Sequence, residues 1–262
     1  MSIVNQPGMG EAERPPKLFK YVPKRMIFNG ATSYASTESA CNNVNASGNV
    51  ATVSAWVMPD RASVKTKASF LSMNFSTTEV FEIMARGSAG EASYIGYNGG
   101  FSIPVSVPGW EPYGDLTLIT VAWDAGEDRA QLAINGTFIS EDNTNQLNVG
   151  VWGLAFPMIG SVADGTTSAS SFKGAVADLW LDDVFIDLDS AAGDAFMSGF
   201  RNSNGQPKFP GNRGELVTGE VPLLFFGGTH LEQEDLDAGR QFGRNTTLFS
   251  AGNPEDIILQ GN

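Results

Sequence analysis

Residues 116–140 read LTLITVAWDAGEDRAQLAINGTFIS, and this stretch decides the class of fold. Two runs rich in apolar and β-branched residues, Leu116 to Trp123 and Ala130 to Ile134, flank the acidic turn Asp124-Ala125-Gly126-Glu127-Asp128. Asn135-Gly136 then divides QLAI from TFIS. Both central residues of a type I′ turn need positive φ, and Asn-Gly meets that demand at low steric cost. The stretch is therefore two successive antiparallel hairpins.

Short β patterns extend from it in both directions. Upstream, Met26-Ile27-Phe28 runs into Asn29-Gly30. Val50 to Met58 places Val53, Ala55 and Val57 on one face, with Thr52, Ser54 and Trp56 on the other. Ser69 to Met73, Val80 to Met84 and Ser93 to Tyr97 read as further strands, as do Met158-Ile159 and Phe172 to Leu181 downstream. Helix-friendly composition is confined to Ser190–Phe200, with Ser190 placed as an N-cap. Many short strands separated by turn residues specify an all-β sandwich or jelly roll.

Two segments stand outside that pattern. Residues 1–25 carry Pro7, Pro15, Pro16 and Pro23 and show neither period, so they read as an extended N-terminal arm. Residues 201–262 begin in a Gly/Asn/Pro-rich stretch, pass through the apolar run Val221 to Phe226 and end in Ile257-Ile258-Leu259. Their apolar content is too small for a separate core, so they read as a tail packing on the sandwich of residues 26–200.

Net charge is −13, unevenly spread. The arm holds Arg14, Lys17, Lys20, Lys24 and Arg25 against Glu11 and Glu13, a net of +3, which leaves −16 for the rest. Such a body repels phosphates and excludes nucleic acid as a partner. The basic arm is expected to dock on an acidic neighbour, such as a copy of the same chain. One cysteine, Cys41, makes no internal bridge and reads as a buried, inert thiol. The first residues hold no apolar core of a secretory signal, and no run is long enough for a membrane helix. The expectation is therefore a protein made without a signal peptide and not inserted in a membrane.

Several stretches resemble the laminin G-like branch of the concanavalin A-like superfamily. Phe28-Asn29-Gly30-Ala31-Thr32-Ser33-Tyr34 is similar to its opening F-x-G-x-x-x-Y turn. Val53-Ser54-Ala55-Trp56-Val57-Met58-Pro59 is similar to T-V-S-A-W-V-K-P. Val121-Ala122-Trp123-Asp124 with Ala133-Ile134-Asn135-Gly136 resembles the central hairpin, and Phe172-Lys173-Gly174-Ala175-Val176-Ala177-Asp178-Leu179-Trp180 resembles the closing strand. Leu116-Thr117-Leu118 departs from the family's Trp-His-His, and Ala177-Asp178 from its acidic pair. The resemblance implies a jelly-roll sandwich. The C-terminal stretch, with Phe200-Arg201-Asn202, Pro222-Leu223-Leu224-Phe225-Phe226 and Gly243-Arg244-Asn245, is similar to tails of laminin G-like proteins encoded in bacteriophages and prophages.

Catalytic machinery is not expected. Glycosidases of this fold align carboxylates in an E-x-D-x-E pattern on one strand face. Asp178, Asp182, Asp183, Asp187 and Asp189 do not match it, since neighbours such as Asp182 and Asp183 point to opposite faces. His230 sits in a polar, acidic loop and reads as a solvated residue. Calcium is the one ligand ion the resemblance implies, with Asp124, Glu127 and Asp128, or Asp182, Asp183 and Asp187, as candidates; neither set has the spacing of an EF-hand loop. Carbohydrate binding needs an exposed ring on which the C–H face of a sugar packs. Trp110 and Tyr113 in VPGWEPYGD and Trp152 in GVWGL are the candidates, whereas Trp56, Trp123 and Trp180 read as core. The function expected is a non-enzymatic structural or binding component of a phage or phage-like particle, as a capsid decoration or a head or tail fibre in contact with other virion proteins. The alternative is an adhesin for a bacterial surface glycan.

Overall fold

Strand β3 (Val50–Pro59) and strand β8 (Thr117–Asp124) form the centre of the molecule, and both are buried on both faces. Their inward side chains, Val53, Ala55, Val57, Ile119, Val121 and Trp123, belong to one core cluster. Their outward side chains, Trp56, Leu118 and Ala122, belong to a second. The period of two thus holds, with apolar material on either side.

The computed structural model describes residues 20–30, 35–37, 50–60, 69–74, 80–88, 91–97, 101–105, 115–124, 126–142, 157–160, 172–237, 240, 242–244, 249–251 and 257–261. Arg14, Lys17, Cys41, Trp110, Tyr113 and Trp152 lie outside them.

Two antiparallel sheets make the sandwich. The first joins β3 and β8 with β1 (Arg25–Asn29), β9 (Arg129–Ile134), β10 (Thr137–Asp142), β12 (Lys173–Asp182), β13 (Leu224–Phe226) and β15 (Ile258–Gln260). Its order is β10-β9-β8-β3-β12-β1-β15, with β13 also on β12. The second contains β2 (Ala35–Thr37), β4 (Ser69–Asn74), β5 (Val80–Ser88), β6 (Glu91–Tyr97), β7 (Phe101–Val105), β11 (Pro157–Ile159) and β14 (Phe249–Ala251), in the order β14-β2-β11-β4-β5-β6-β7. The β9–β10 turn has the expected chemistry, with Asn135 at φ 50° and Gly136 at φ 69°. Strand β7 is absent from the periodicity reading because Pro104 interrupts it. An edge position tolerates a residue without an N–H.

The outer face of the first sheet is covered by the segment after β12. Helix α1 (Ala191–Phe200) starts at Ser190, whose side chain accepts from the Gly193 N–H, a cap worth about 1 kcal/mol. The helix buries Phe196, Met197 and Phe200 against Trp180, which meets Phe196 edge-on with 4.9 Å between centroids. A second helix, α2 (Gln233–Asp237), occupies a tract whose polarity gives no sign of it.

Candidate ligand-binding cleft

Strand β12 changes partner part-way along, and the site is built around that change. On the side away from β3, β1 pairs with Lys173 to Ala177 and β13 pairs with Leu179 to Leu181. Asp178 falls between them, at a bulge, with φ 46° and no exposed surface. Its carboxylate accepts from the Tyr21 hydroxyl at 2.8 and 3.0 Å and from the Gly228 N–H at 3.1 Å. Burial pushes this carboxyl up to about 7, against the two hydrogen bonds that favour its charged form. Burial, and then the charge of Asp178, raise the Tyr21 phenol above its ordinary value. A strap, residues 20–24, is thereby fastened to the outer face, with the Tyr21 ring also against Phe209 at 5.4 Å.

Strap, sheet and tail enclose a cleft of about 560 Å³. Residues 20–23 and Arg25 form one wall, and Asp115, Leu116 and Asn135 another. Residues 205–207 close it from the tail, and Trp56 and Met58 also line it. The hairpin turn is fixed twice. Asn135 exchanges hydrogen bonds with the Leu118 backbone, accepting at Oδ1 from its N–H at 3.0 Å, and Arg201 donates to the Asn135 and Gly136 carbonyls.

Register places Arg25 opposite Ala177, Ala177 opposite Trp56 and Trp56 opposite Leu118, a row across four strands on one face. At strand spacing, Arg25 and Trp56 lie about 10 Å apart with only a methyl side chain between them. The Nε–H of Arg25 and the Nε1–H of Trp56 are both buried without an acceptor. A buried donor left unpaired costs about 1–3 kcal/mol. Two of them along one cleft make it a candidate for an occupant rich in acceptors.

The residues singled out in the sequence distribute differently. Lys20 is exposed at the cleft. Lys24 turns inward, donating to the Leu231 carbonyl at 2.6 Å and pairing with Glu232 at 2.5 Å, so it does not reach out to a neighbour. Arg25 is the first residue of β1, so the strand begins one residue inside the expected arm. Asp182 and Asp183 do not diverge to opposite faces, because β12 ends at Asp182 and both carboxylates reach Arg244, Asp182 at 2.7 Å. Burial lifts Asp182 to about 6 against the pull of that guanidinium. Asp124 accepts from the Gly126 and Glu127 amides of its own turn, and Asp128 stands in the same turn at φ 51°. Asp187 pairs with Arg129 and accepts from Gln131, hydrogen bonds that hold it below the usual carboxylate range. Among the described residues no three such ligands converge as a metal site. His230 is exposed, and Trp56, Trp123 and Trp180 are buried as expected. Asp115, Asn135 and Gln206 are not legible in the sequence as site residues; five separate segments assemble the cleft, and no local spacing announces that.

The profile of a laminin G family, described as the concanavalin A-like lectin/glucanases superfamily, matches residues 29–184. No curated protein matches the chain in sequence. Among solved structures, it is similar to a putative carbohydrate binding protein from Bacteroides ovatus ATCC 8483, with 12% identity and a TM-score of 0.55 over 91% of this chain and 60% of that one. It is similar to the botulinum neurotoxin serotype D binding domain, with 10% identity and a TM-score of 0.50 over 70% and 46%. A native heptameric SAP-like pentraxin from Limulus polyphemus is 17% identical, with a TM-score of 0.48 over 63% and 77%. At these identities the likeness concerns the fold alone. Matched over more than half its length, the chain belongs to the concanavalin A-like lectin/glucanases superfamily, in its laminin G branch.

Proposed function

We propose that the protein is a non-catalytic, glycan-binding module, and that the cleft between strap, sheet and tail holds the glycan. The observation that carries this reading is the pairing of acceptor-starved donors, Arg25 Nε–H and Trp56 Nε1–H, in a cleft of about 560 Å³. That volume lies within the range of small-molecule sites. Polar groups of both kinds line the same space, with Lys20 and Arg25 as donors, Asp115 as an acceptor and Gln206 as both. Sugar hydroxyls both donate and accept, so they suit such a mixture. Membership in a superfamily of lectins and glucanases supports the reading, as does the fold shared with a putative carbohydrate binding protein.

A glycan array with the intact protein tests it. Binding to at least one glycan class is expected, reduced at least tenfold by Arg25→Gln or Gln206→Ala. Binding that instead disappears with Trp110→Ala, Tyr113→Ala or Trp152→Ala moves the site to the aromatic loops expected from sequence. Silence across the array overturns the reading.

The phage-particle role is a second proposal, motivated by the charge asymmetry and the resemblance of the C-terminal stretch. In a phage-like particle the sandwich would serve as decoration or fibre. Deletion of residues 1–19, which spares the strap, should then abolish incorporation while the sandwich still unfolds cooperatively. Unchanged incorporation refutes the arm's part in assembly.

A further inference from the structure

We propose that the cleft is specific for sugars that carry a carboxylate, with Arg25 holding the carboxylate and Asp115 accepting hydrogen bonds from hydroxyls of the same sugar. The inference rests on the glycan reading and narrows it. Three observations carry it. Arg25 lines the cleft with its Nε–H buried and without an acceptor, and among the described residues it forms no ion pair. A guanidinium is a planar fork that matches a carboxylate with two parallel hydrogen bonds, so a partly buried one without a carboxylate lacks its best partner. The charged residues lining the cleft are Lys20, Arg25 and Asp115, a net of +1 in a chain whose net is −13. A locally cationic cleft in an acidic protein favours anions at that place and disfavours them elsewhere.

The row Arg25–Ala177–Trp56 supplies the geometry. A sugar acid bound in the cleft presents its carboxylate to Arg25 and the rest of the sugar towards Trp56 and Met58 of β3, which line the same space. The ring face of Trp56 is not the platform, because the residue is only 1% exposed. Hydrogen bonds come instead from Arg25, Asp115 and Gln206, with Met58 and Leu116 offering apolar contact to the C–H groups. A sulfate ester is tetrahedral and more often meets several cations, which places it second to a carboxylate here.

The test compares each acid with its carboxyl-reduced form, which changes one group and keeps the sugar. Two carboxylate sources serve: polygalacturonate for uronic acids and a sialyl oligosaccharide for sialic acids. Affinity electrophoresis for the polymer and calorimetry for the oligosaccharide are expected to show at least a tenfold preference for one of the acids over its reduced form. Arg25→Gln should erase that preference with an unchanged unfolding midpoint, and Arg25→Lys should leave it weakened, since charge persists while the fork is lost. Equal binding of acid and reduced forms by the wild-type protein overturns the inference while leaving the glycan reading intact. So does binding to dextran sulfate that surpasses both acids. A preference that survives Arg25→Gln overturns the assignment to this cleft. Silence with these probes and across the array overturns both.

Discussion

Replacing Asp178 by Asn probes the fastening of the strap, and its effect follows from the geometry. Asp178 has no exposed surface, and burial raises its carboxyl from 3.8 to about 7. An acid raised in this way binds a proton more tightly in the folded than in the unfolded chain. Its contribution to stability is therefore fully present below pH 3.8, declines as pH rises and is gone above about pH 7. A shift of about 3 units corresponds to ~4 kcal/mol over the whole window, of which ~2–3 kcal/mol falls between pH 5 and pH 8. Asn is nearly isosteric, accepts from the Gly228 N–H and tolerates φ 46°. Its amide also reaches the Tyr21 oxygen while carrying no charge. The difference in unfolding free energy, Asp178→Asn variant minus wild type, should thus rise by ~2–3 kcal/mol from pH 5 to pH 8. Urea unfolding followed by tryptophan fluorescence at both pH values measures it. Other titrating groups, Asp182 included, contribute equally to both proteins and cancel. A difference that does not change with pH, or that falls, refutes the account of Asp178 as a buried carboxylate paying for its charge.

Other substitutions test neighbouring parts of the account. Tyr21→Phe removes the hydroxyl that meets Asp178 and is expected to cost ~1–3 kcal/mol at pH 8, where its acceptor is charged, and less at pH 5, measured by the same titration. It should also speed amide exchange in residues 20–24. Arg244→Ala leaves Asp182 and Asp183 without their shared cation; its cost should grow as pH rises through about 6, seen in thermal midpoints at pH 4.5 and pH 7.5. Gly174→Ala puts a Cβ 2.3 Å from the Met58 carbonyl at φ 149°, so it should destabilise by well over ~1 kcal/mol. A variant as stable as wild type would show that β3 and β12 approach less closely.

The fold is legible in the sequence where pattern and turn chemistry agree. Strands β3, β8, β9 and β12 announce themselves by alternation, and the β9–β10 turn by Asn135-Gly136. The role of the outward face is not legible. Trp56 and Trp180 read as core from their strands, but the material that shares their cluster, α1, Leu188 and Phe225, comes from segments that nothing local links to that face. Alternation tells which residues share a face, and what lies against the face depends on a distant segment. The cleft is less legible still. Arg25 reads as one more cation of an arm, and only pairing across β1, β12 and β3 brings it level with Trp56. Asp178 looks like part of an acidic run, because nothing local tells that a strand exchanges partners there.

The proposed site and the aromatic loops expected from sequence make opposite predictions for one spectrum. The chain has five tryptophans, at 56, 110, 123, 152 and 180, so a 1H–15N correlation spectrum holds five indole resonances, assignable by single Trp→Phe variants. Titration with the glycan found on the array should move the Trp56 indole resonance, whose N–H is without an acceptor in the free protein, and leave those of Trp110 and Trp152 in place. Movement of Trp110 or Trp152 with Trp56 unchanged would contradict the account.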